Sequence, residues 1–338
     1  MESFQNTIPK LSFWNTAFLF LYLIFASSES YSNPTQQHNI INKDTPIIWR
    51  PALKSWLIKD DIFYNTNKFE EQILKSEPKN TSVSKNLPSH GFSKGVLISK
   101  LNIQASINSS KSDYIIYINY PLLDHIKLFN LNSRGHLVQL YHTGDSFSLS
   151  SKPIPHRAFA FPITLKAGKT STYYLAAKSQ DTLDTPISIF TNSEFVKHTQ
   201  KEQYILGAYF GGVIIMALFM LTLYINFKDK TLIIMSVYLF CLAGVVGSVT
   251  GVTSQALITD SPELAKNIRI VFLAISMTCT MLFGINYLES KINMPRFHWA
   301  FVVTSTLCAA LPFFIRIIPF FYLIQITLIL LACIFFVA

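Results

Sequence analysis

Residues 204–227, YILGAYFGGVIIMALFMLTLYINF, contain no charged side chain. Lys228-Asp229-Lys230 follows, and then a second apolar run, TLIIMSVYLFCLAGVVGSVTGV, covers residues 231–252. A helix of about twenty apolar residues crosses the hydrocarbon core of a bilayer with its backbone polar groups paired internally. Because the turn between the runs is so short, the two helices must be antiparallel. This stretch therefore predicts an integral membrane protein that is embedded in the lipid bilayer.

Further apolar runs continue toward residue 338. Pro312 and Pro319 divide the last of them around Arg316, because proline does not continue a helix. We expect Arg316 at a membrane interface; the alternative is a functional charge inside the membrane. The sequence predicts an α-helical transmembrane bundle over residues 204–338, with spans at about 204–227, 231–252, 268–288, 299–315 and 317–338.

The charged residues divide the chain into two halves. Residues 31–200 hold 19 Lys and Arg and 12 Asp and Glu, whereas residues 201–338 hold only 8 and 5. The net charge of +9 therefore arises mainly in the first half, where the lysines are scattered singly. This distribution indicates a solvated surface and disfavours a nucleic-acid site.

The N-terminus has the features of an export signal. Lys10 precedes an apolar run over residues 11–25, and Ala26-Ser27-Ser28 supplies the small residues that signal peptidase recognises. We predict a signal peptide over residues 1–28; the alternative is an uncleaved anchor helix. Either way residue 31 is outside the cytoplasm. The first span then runs inward, which places Lys228, Lys230, Lys291 and Arg296 inside and Lys266, Arg269 and Arg316 outside.

The exported half has the pattern of a β-sheet protein. Short β-branched and aromatic runs alternate with turn signals such as Asn132-Ser133-Arg134-Gly135. The runs lie at 114–118, 125–129, 136–141, 158–165, 172–177 and 186–190. We therefore predict an all-β sandwich over residues 61–192, after a lead-in at 29–60 and before a linker at 193–203.

No enzyme site is evident in the exported half. All four cysteines lie in the hydrophobic half, and no Ser, Thr or Cys nucleophile has a recognisable motif around it. His136, His142 and His156 have no metal-ligand spacing, so we predict neither a metal nor a cofactor. Four aromatic residues could form a sugar-stacking platform or part of a sheet core, and the core is the more common role of aromatic residues in strands. They are Trp49, Trp56, Tyr173 and Tyr174.

Two pairs of glycines are spaced four residues apart in the predicted spans. Gly207 and Gly211 lie in the first span, and Gly247 and Gly251 lie in the second. Small residues at this spacing let another helix backbone approach closely. We predict helix packing inside the bundle, with pairing of two copies of the chain as the alternative. No filter-like loop or broken-helix signature is present, which disfavours a channel or transporter.

Several loose motifs, in this order, carry a resemblance to a known family. They are PLLDHIKLF at 121–129 with Asp124, TGD at 143–145 with Gly144 and Asp145, PHRAFAFP at 155–162 with Arg157, and LGAYFGG at 206–212. Residues 45–338 resemble the bacterial seven-transmembrane receptors with diverse intracellular signalling modules. The resemblance implies a jelly-roll, carbohydrate-binding-like sensor domain on the periplasmic side of the bacterial inner membrane. It further implies a small-molecule or glycan ligand, and a cytoplasmic histidine kinase, diguanylate cyclase or similar output module.

The sequence departs from that plan because it reaches residue 338 within the fifth predicted span. We expect the chain to be the N-terminal part of a longer gene; the alternative is a truncated, membrane-tethered binding or scaffold protein. Residues 191–203 contain neither glycine nor proline. We therefore expect ligand binding in the sandwich to tilt or rotate the first helix.

Overall fold

The computed structural model of the protein describes residues 40–41, 54–59, 63–64, 66–77, 95–105, 112–166, 168–180, 182–257 and 260–314. The predicted signal peptide, the predicted fifth span, Trp49 and Arg316 lie outside the described residues.

Within the described residues, the exported domain contains nine strands, one short α-helix and a 3₁₀ turn at Leu149–Ser151. The strands bury their apolar positions in the domain core. Turns separate them, such as the one at Gly135, which has a positive φ of 80°. The strands are β1 (Ile40–Ile41), β2 (Lys54–Ile58), β3 (Val96–Ala105), β4 (Ser112–Ile118), β5 (His125–Leu131), β6 (Leu137–Thr143), β7 (Phe159–Leu165), β8 (Thr170–Lys178) and β9 (Ile187–Thr191), and the helix is α1 (Thr66–Lys75).

The strands form two sheets, which confirms the predicted sandwich. The larger sheet has the order β1-β3-β8-β5-β6, with β2 also paired to β3, and the smaller has the order β7-β4-β9. All pairs are antiparallel except β1 with β3. The predicted lead-in at 29–60 thus contributes β1 and β2 to the larger sheet. Trp56 and Ile58 of β2 are buried in the domain core.

Three apolar clusters hold this domain together. The first lies between the sheets and includes the fully buried residues Leu128, Phe161 and Leu175. The second lies on the outer face of the larger sheet, where α1 covers Trp56 and Tyr174. Trp56, Tyr173 and Tyr174 are all buried, so these aromatic residues belong to the core and do not form an open platform.

The remaining described chain is helical. The helices are α2 (Asn192–Phe227), α3 (Lys230–Val249), α4 (Val252–Ala256), α5 (Pro262–Tyr287), α6 (Ser290–Asn293) and α7 (Pro295–Ala310). Three of them, α2, α3 and α5, are long and apolar enough to cross a membrane, and they coincide with the first three predicted spans. The fourth predicted span, 299–315, overlaps α7, which is a shorter apolar helix followed by a 3₁₀ turn at Leu311–Phe314.

The predicted linker at 193–203 is helical. α2 begins at Asn192, directly after β9, and continues without interruption to Phe227. Thr191 caps it: its side chain accepts a hydrogen bond from the Glu194 backbone N–H, and the Glu194 carboxylate accepts one from the Thr191 N–H. The sandwich is therefore joined to the first span through a single rigid element.

The four glycines predicted for helix packing lie in different surroundings. A methyl group built on Gly207 or Gly211 would meet no described atom within 4 Å, so these two do not form a helix contact within the described part of the chain. At Gly247 such a methyl would lie 3.6 Å from the Phe210 ring of α2, which is a helix contact. Gly251 lies beyond the end of α3 with a φ of 78° and faces the sandwich instead of a helix.

Candidate functional site

Two loops of the sandwich meet the outer ends of the helices. Residues 119–124 connect β4 to β5, and residues 144–158 connect β6 to β7. All four residues singled out in the sequence motifs lie on these loops: Asp124, Gly144, Asp145 and Arg157. The folded chain thus brings together residues from three separate motifs at the contact between the two domains.

Arg157 holds α2 and α3 against the loops. Its guanidinium forms an ion pair with Glu202 of α2, with an N–O distance of 2.8 Å, and donates a hydrogen bond to the Thr250 carbonyl, 3.1 Å away, at the end of α3. It also donates to the Asn119 side chain at 2.9 Å. Because a helix C-terminus carries partial negative charge and unpaired carbonyls, a cation there is favourable. Only 10% of the Arg157 side chain is exposed, so water screens this ion pair weakly.

Glu202 is surrounded by further donors. The Tyr117 hydroxyl donates to its carboxylate at 3.1 Å, and the Asn119 amide donates at 3.4 Å. His198, one helical turn earlier, lies 3.3 Å from the same carboxylate. Burial raises the pKa of Tyr117, which keeps its hydroxyl as a neutral donor. Glu202 is therefore the point at which α2 is bound to the sandwich through polar contacts.

An apolar contact lies beside these polar groups. Phe195, in the first turn of α2, packs edge-on against Tyr117 with the ring centroids 5.6 Å apart, and it also contacts Phe190 and His156. These side chains cover the outer face of the smaller sheet. The first turn of α2 is therefore packed directly on the smaller sheet.

A second ion pair joins the sandwich to α5. The Lys266 ammonium contacts the Asp124 carboxylate and donates to the Ser146 hydroxyl at 3.0 Å. Asp124 also accepts hydrogen bonds from the Gln180 N–H and the Ser146 hydroxyl. Burial opposes ionisation of Asp124, but the charge of Lys266 and these hydrogen bonds outweigh it and hold its pKa below the usual value. Asp124 is thus a stable anion facing α5.

The motif glycine allows two loops to cross. A methyl group on Gly144 would overlap the Asp124 carbonyl group, so only glycine fits here. The crossing is held by the Asp145 N–H, which donates to the Leu123 carbonyl at 2.6 Å. Burial raises the pKa of Asp145, although Lys266 and Arg269 of α5 lie near it.

Partly buried Lys152 supports the longer loop through contacts to that loop's own carbonyls. Its ammonium donates to the His156 and Arg157 carbonyls at 2.9 and 3.3 Å and lies over the Phe159 ring. Burial lowers its pKa to about 8. Gly251 completes the contact: a methyl group there would lie 2.6 Å from the Arg157 carbonyl oxygen and 2.9 Å from Cβ of Pro121.

The comparisons with known proteins agree with this division into an outer domain and helices. The domain family described as 7TMR-DISM extracellular 2 matches residues 65–191. The family described as 7TM diverse intracellular signalling matches residues 202–338. The chain belongs to the seven-transmembrane receptors with diverse intracellular signalling modules. None of the curated proteins compared with the receptor matches it. Residues 65–191 are thus the receptor's outward sensor domain, and these two domain types are not themselves enzymatic.

Within the described residues of the receptor, no three His, Cys, Asp or Glu side chains are grouped to hold a metal. The three histidines considered above are apart: His136 is exposed on the β5–β6 turn, His142 lies beside Phe63, and His156 lies against Tyr117. The arrangement at the loops offers ion pairs and hydrogen bonds between two domains, which suits transmission of a movement.

Several of these contact residues carry little signal in the sequence. Glu202 and Lys266 are ordinary charged residues at the outer ends of apolar spans, with other charges close by in the sequence. Tyr117 lies near the end of a strand run, and Asn119 follows it. The one available hint is that Glu202 and Lys266 are charged where the chain is about to enter lipid, a position at which a charge calls for a partner. The partner itself is not encoded locally.

Proposed function

We propose that the sensor domain binds an extracytoplasmic ligand of the carbohydrate class, and that the bound state is passed through the helices to a cytoplasmic output module. The proposed setting is the inner membrane of a bacterium, with the sensor domain in the periplasm. The output module would be a histidine kinase, a diguanylate cyclase or a similar domain.

The observation that supports this proposal is the contact between the sensor domain and the outer ends of three spans. α2 continues directly from β9, and Arg157 joins α2 to α3. Lys266 joins α5 to the loop beside β5. A ligand that changes the packing of the two sheets therefore changes contacts to three helices at once, which is the differential interaction that a two-state receptor requires.

A membrane-tethered binding or scaffold protein is the competing function. It predicts ligand binding without any change at the helix ends. The ligand class rests on the implied carbohydrate-binding-like character of the sensor domain, whereas the path of transmission rests on the contacts described above. The two parts of the proposal are therefore tested separately.

The test uses the whole chain in lipid nanodiscs and a panel of cello-, xylo- and chito-oligosaccharides as probes. Binding is measured by calorimetry, and hydrogen exchange is followed at residues 195–203 and 262–269. Binding with altered exchange at both helix ends supports a signalling receptor, whereas binding without it indicates a scaffold. Failure of every sugar to bind overturns the carbohydrate assignment.

A Lys266→Met variant tests the path, with Lys169→Met, at an exposed β7–β8 turn position, as the matched control. We expect Lys266→Met to bind the same sugar and to lose the change at 262–269 while keeping the one at 195–203. An unaltered response in Lys266→Met would exclude the α5 contact from the path.

A further inference from the structure

Two histidines with aromatic neighbours lie beside the Asp124–Lys266 contact. His125 begins β5 and His142 lies near the end of the neighbouring strand β6, and their ring centroids are 5.9 Å apart. The Phe147 ring lies 5.4 Å from His125 and 4.9 Å from His142. Phe63 packs on both imidazoles, and the Tyr64 hydroxyl lies 3.3 Å from Nε2 of His125. We call these five residues the histidine cluster.

Within the described residues, the two histidines lack hydrogen-bond acceptors for the N–H groups that protonation would add. Nδ1 of His125 and Nε2 of His142 are buried, and neither has a hydrogen-bond partner within the described part of the chain. A charged imidazolium requires partners for both ring N–H groups, and a buried charge without them is unfavourable. The closed arrangement therefore favours neutral histidines.

The surrounding charges act in the same direction. Cations approach from three elements: Lys127 on β5, Lys178 on β8 and Lys266 on α5. Two carboxylates oppose these positive charges. Asp124 is already paired with Lys266, and Glu70 of α1 faces Lys127. Burial, together with Lys127 and His125, lowers the pKa of His142 to about 4. Burial also lowers the pKa of His125, against the opposing charge of Asp124.

The direction of the pH effect follows from these shifts. A histidine released into water has a pKa of about 6.5 and takes up a proton more readily than one in the closed cluster. Above about pH 7 both forms are neutral and the closed cluster keeps its full stability. As the pH falls from about 6.5 toward 4, the opened form is increasingly favoured.

Loop 144–147 connects the cluster to α5. Phe147 packs on both imidazoles, and its neighbour Ser146 donates to Asp124 at 3.2 Å and accepts from Lys266 at 3.0 Å. Movement of Phe147 away from the imidazoles would therefore draw Ser146 out of the contact with Lys266. Protonation of His125 would also place a second cation beside Asp124, in competition with Lys266.

We infer that the histidine cluster makes the attachment of the sensor domain to α5 sensitive to acid. When the external medium acidifies, protonated His125 and His142 repel each other and the nearby lysines, loop 144–147 opens, and Lys266 is released from Asp124. Protons thus act as a second input to the receptor, independent of any ligand in the sandwich and of any output module.

The experiment is native-state hydrogen exchange on the whole chain in nanodiscs at pH 7.5 and pH 5.0, corrected for the intrinsic pH dependence of exchange. The amides to follow are those of Asp145, Ser146 and Phe147, which donate to the carbonyls of Leu123, Asp124 and Gly144. The pKa of His142 is about 4 in the closed cluster and about 6.5 in the opened form. Opening should therefore become more favourable, and protection of these amides should fall roughly thirtyfold, between pH 7.5 and pH 5.0.

His125→Gln/His142→Gln should abolish this pH dependence, and His136→Gln, at the exposed turn, should retain it. If the double variant fails to fold, His142→Gln alone decides, because it leaves the His125–Tyr64 contact in place. Constant protection in the wild type, or an unchanged pH dependence in His142→Gln, overturns the inference. Since the readout involves no sugar, failure of the carbohydrate assignment leaves it unaffected.

Discussion

At the scale of single residues, Arg157 joins more elements than any other side chain described at the contact. It reaches Glu202 on α2, the Thr250 carbonyl at the end of α3, and Asn119 on the loop after β4. Its planar guanidinium donates in several fixed directions, which a lysine ammonium on a flexible stem does not reproduce. Its loss would leave Glu202 partly buried without its strongest partner.

Replacement of Arg157 by alanine should therefore open the contact without unfolding the sandwich. Removing one partner of a buried ion pair costs about 3 kcal/mol, or roughly a hundredfold loss of amide protection at residues 198–203. Arg157→Lys should fall between the wild type and Arg157→Ala. Arg134→Ala, on the exposed β5–β6 turn, is the control and should change protection by less than about 0.5 kcal/mol. Equal effects of Arg157→Ala and Arg134→Ala would show that Arg157 does not hold the helices.

At the scale of elements, the junction depends on how α2 begins and on how α3 packs. The Thr191–Glu194 capping box starts α2 directly after β9, so the predicted linker is part of the helix. Within the bundle, α3 packs between α2 and α5. The closest approach of a described glycine to another span is at Gly244, where a methyl group would overlap the Phe272 ring of α5.

The glycines of the two helices should consequently differ in their tolerance of larger side chains. Gly244→Leu should destabilise the bundle by about 1–3 kcal/mol, because an added side chain would overpack against Phe272. Gly211→Leu should change stability by less than about 1 kcal/mol, since no described atom lies within 4 Å of its added methyl group. Unfolding in mixed micelles measures both variants. The opposite order of stability would restore the packing role first predicted for Gly211.

At the scale of the whole molecule, the sensor domain explains why two positive residues lie at the outer end of a span. Lys266 and Arg269 lie at the end of α5 nearest the sandwich, where Asp124 and Asp145 provide opposing charges. Positive residues on the outer side are normally avoided in short loops. Here Lys266 is paired with Asp124, and Arg269 lies near Asp145, which fits an outward N-terminal domain.

This arrangement predicts which positions an impermeant thiol reagent reaches in intact cells. Glu263→Cys, beside the sensor domain at the start of α5, should react from outside. Asp229→Cys, in the turn between α2 and α3, should react only after the membrane is permeabilised. The wild type measures the background labelling of the four native cysteines, of which Cys241, Cys279 and Cys308 are buried. Labelling of Asp229→Cys in intact cells would contradict the orientation.

The sequence alone determined the class of the protein and the position of most of its elements. Long apolar runs marked the spans at 204–227, 231–252 and 268–288, and alternating apolar runs marked the strands of the sandwich. These features are readable because hydropathy is a local property that reports the medium each segment faces. The order of the motifs likewise indicated the family, which the two domain matches confirm.

The tertiary structure alone decided what the motif residues do. Asp124 and Lys266 are 142 residues apart in the chain, and Arg157 meets α2 and α3 only because loops 119–124 and 144–158 reach the helix ends. Pairing of single charges depends on the path of the chain through space, which no local pattern records. For the same reason Gly251, which looks like half of a helix-packing pair, contacts Arg157 and Pro121 of the sensor domain instead.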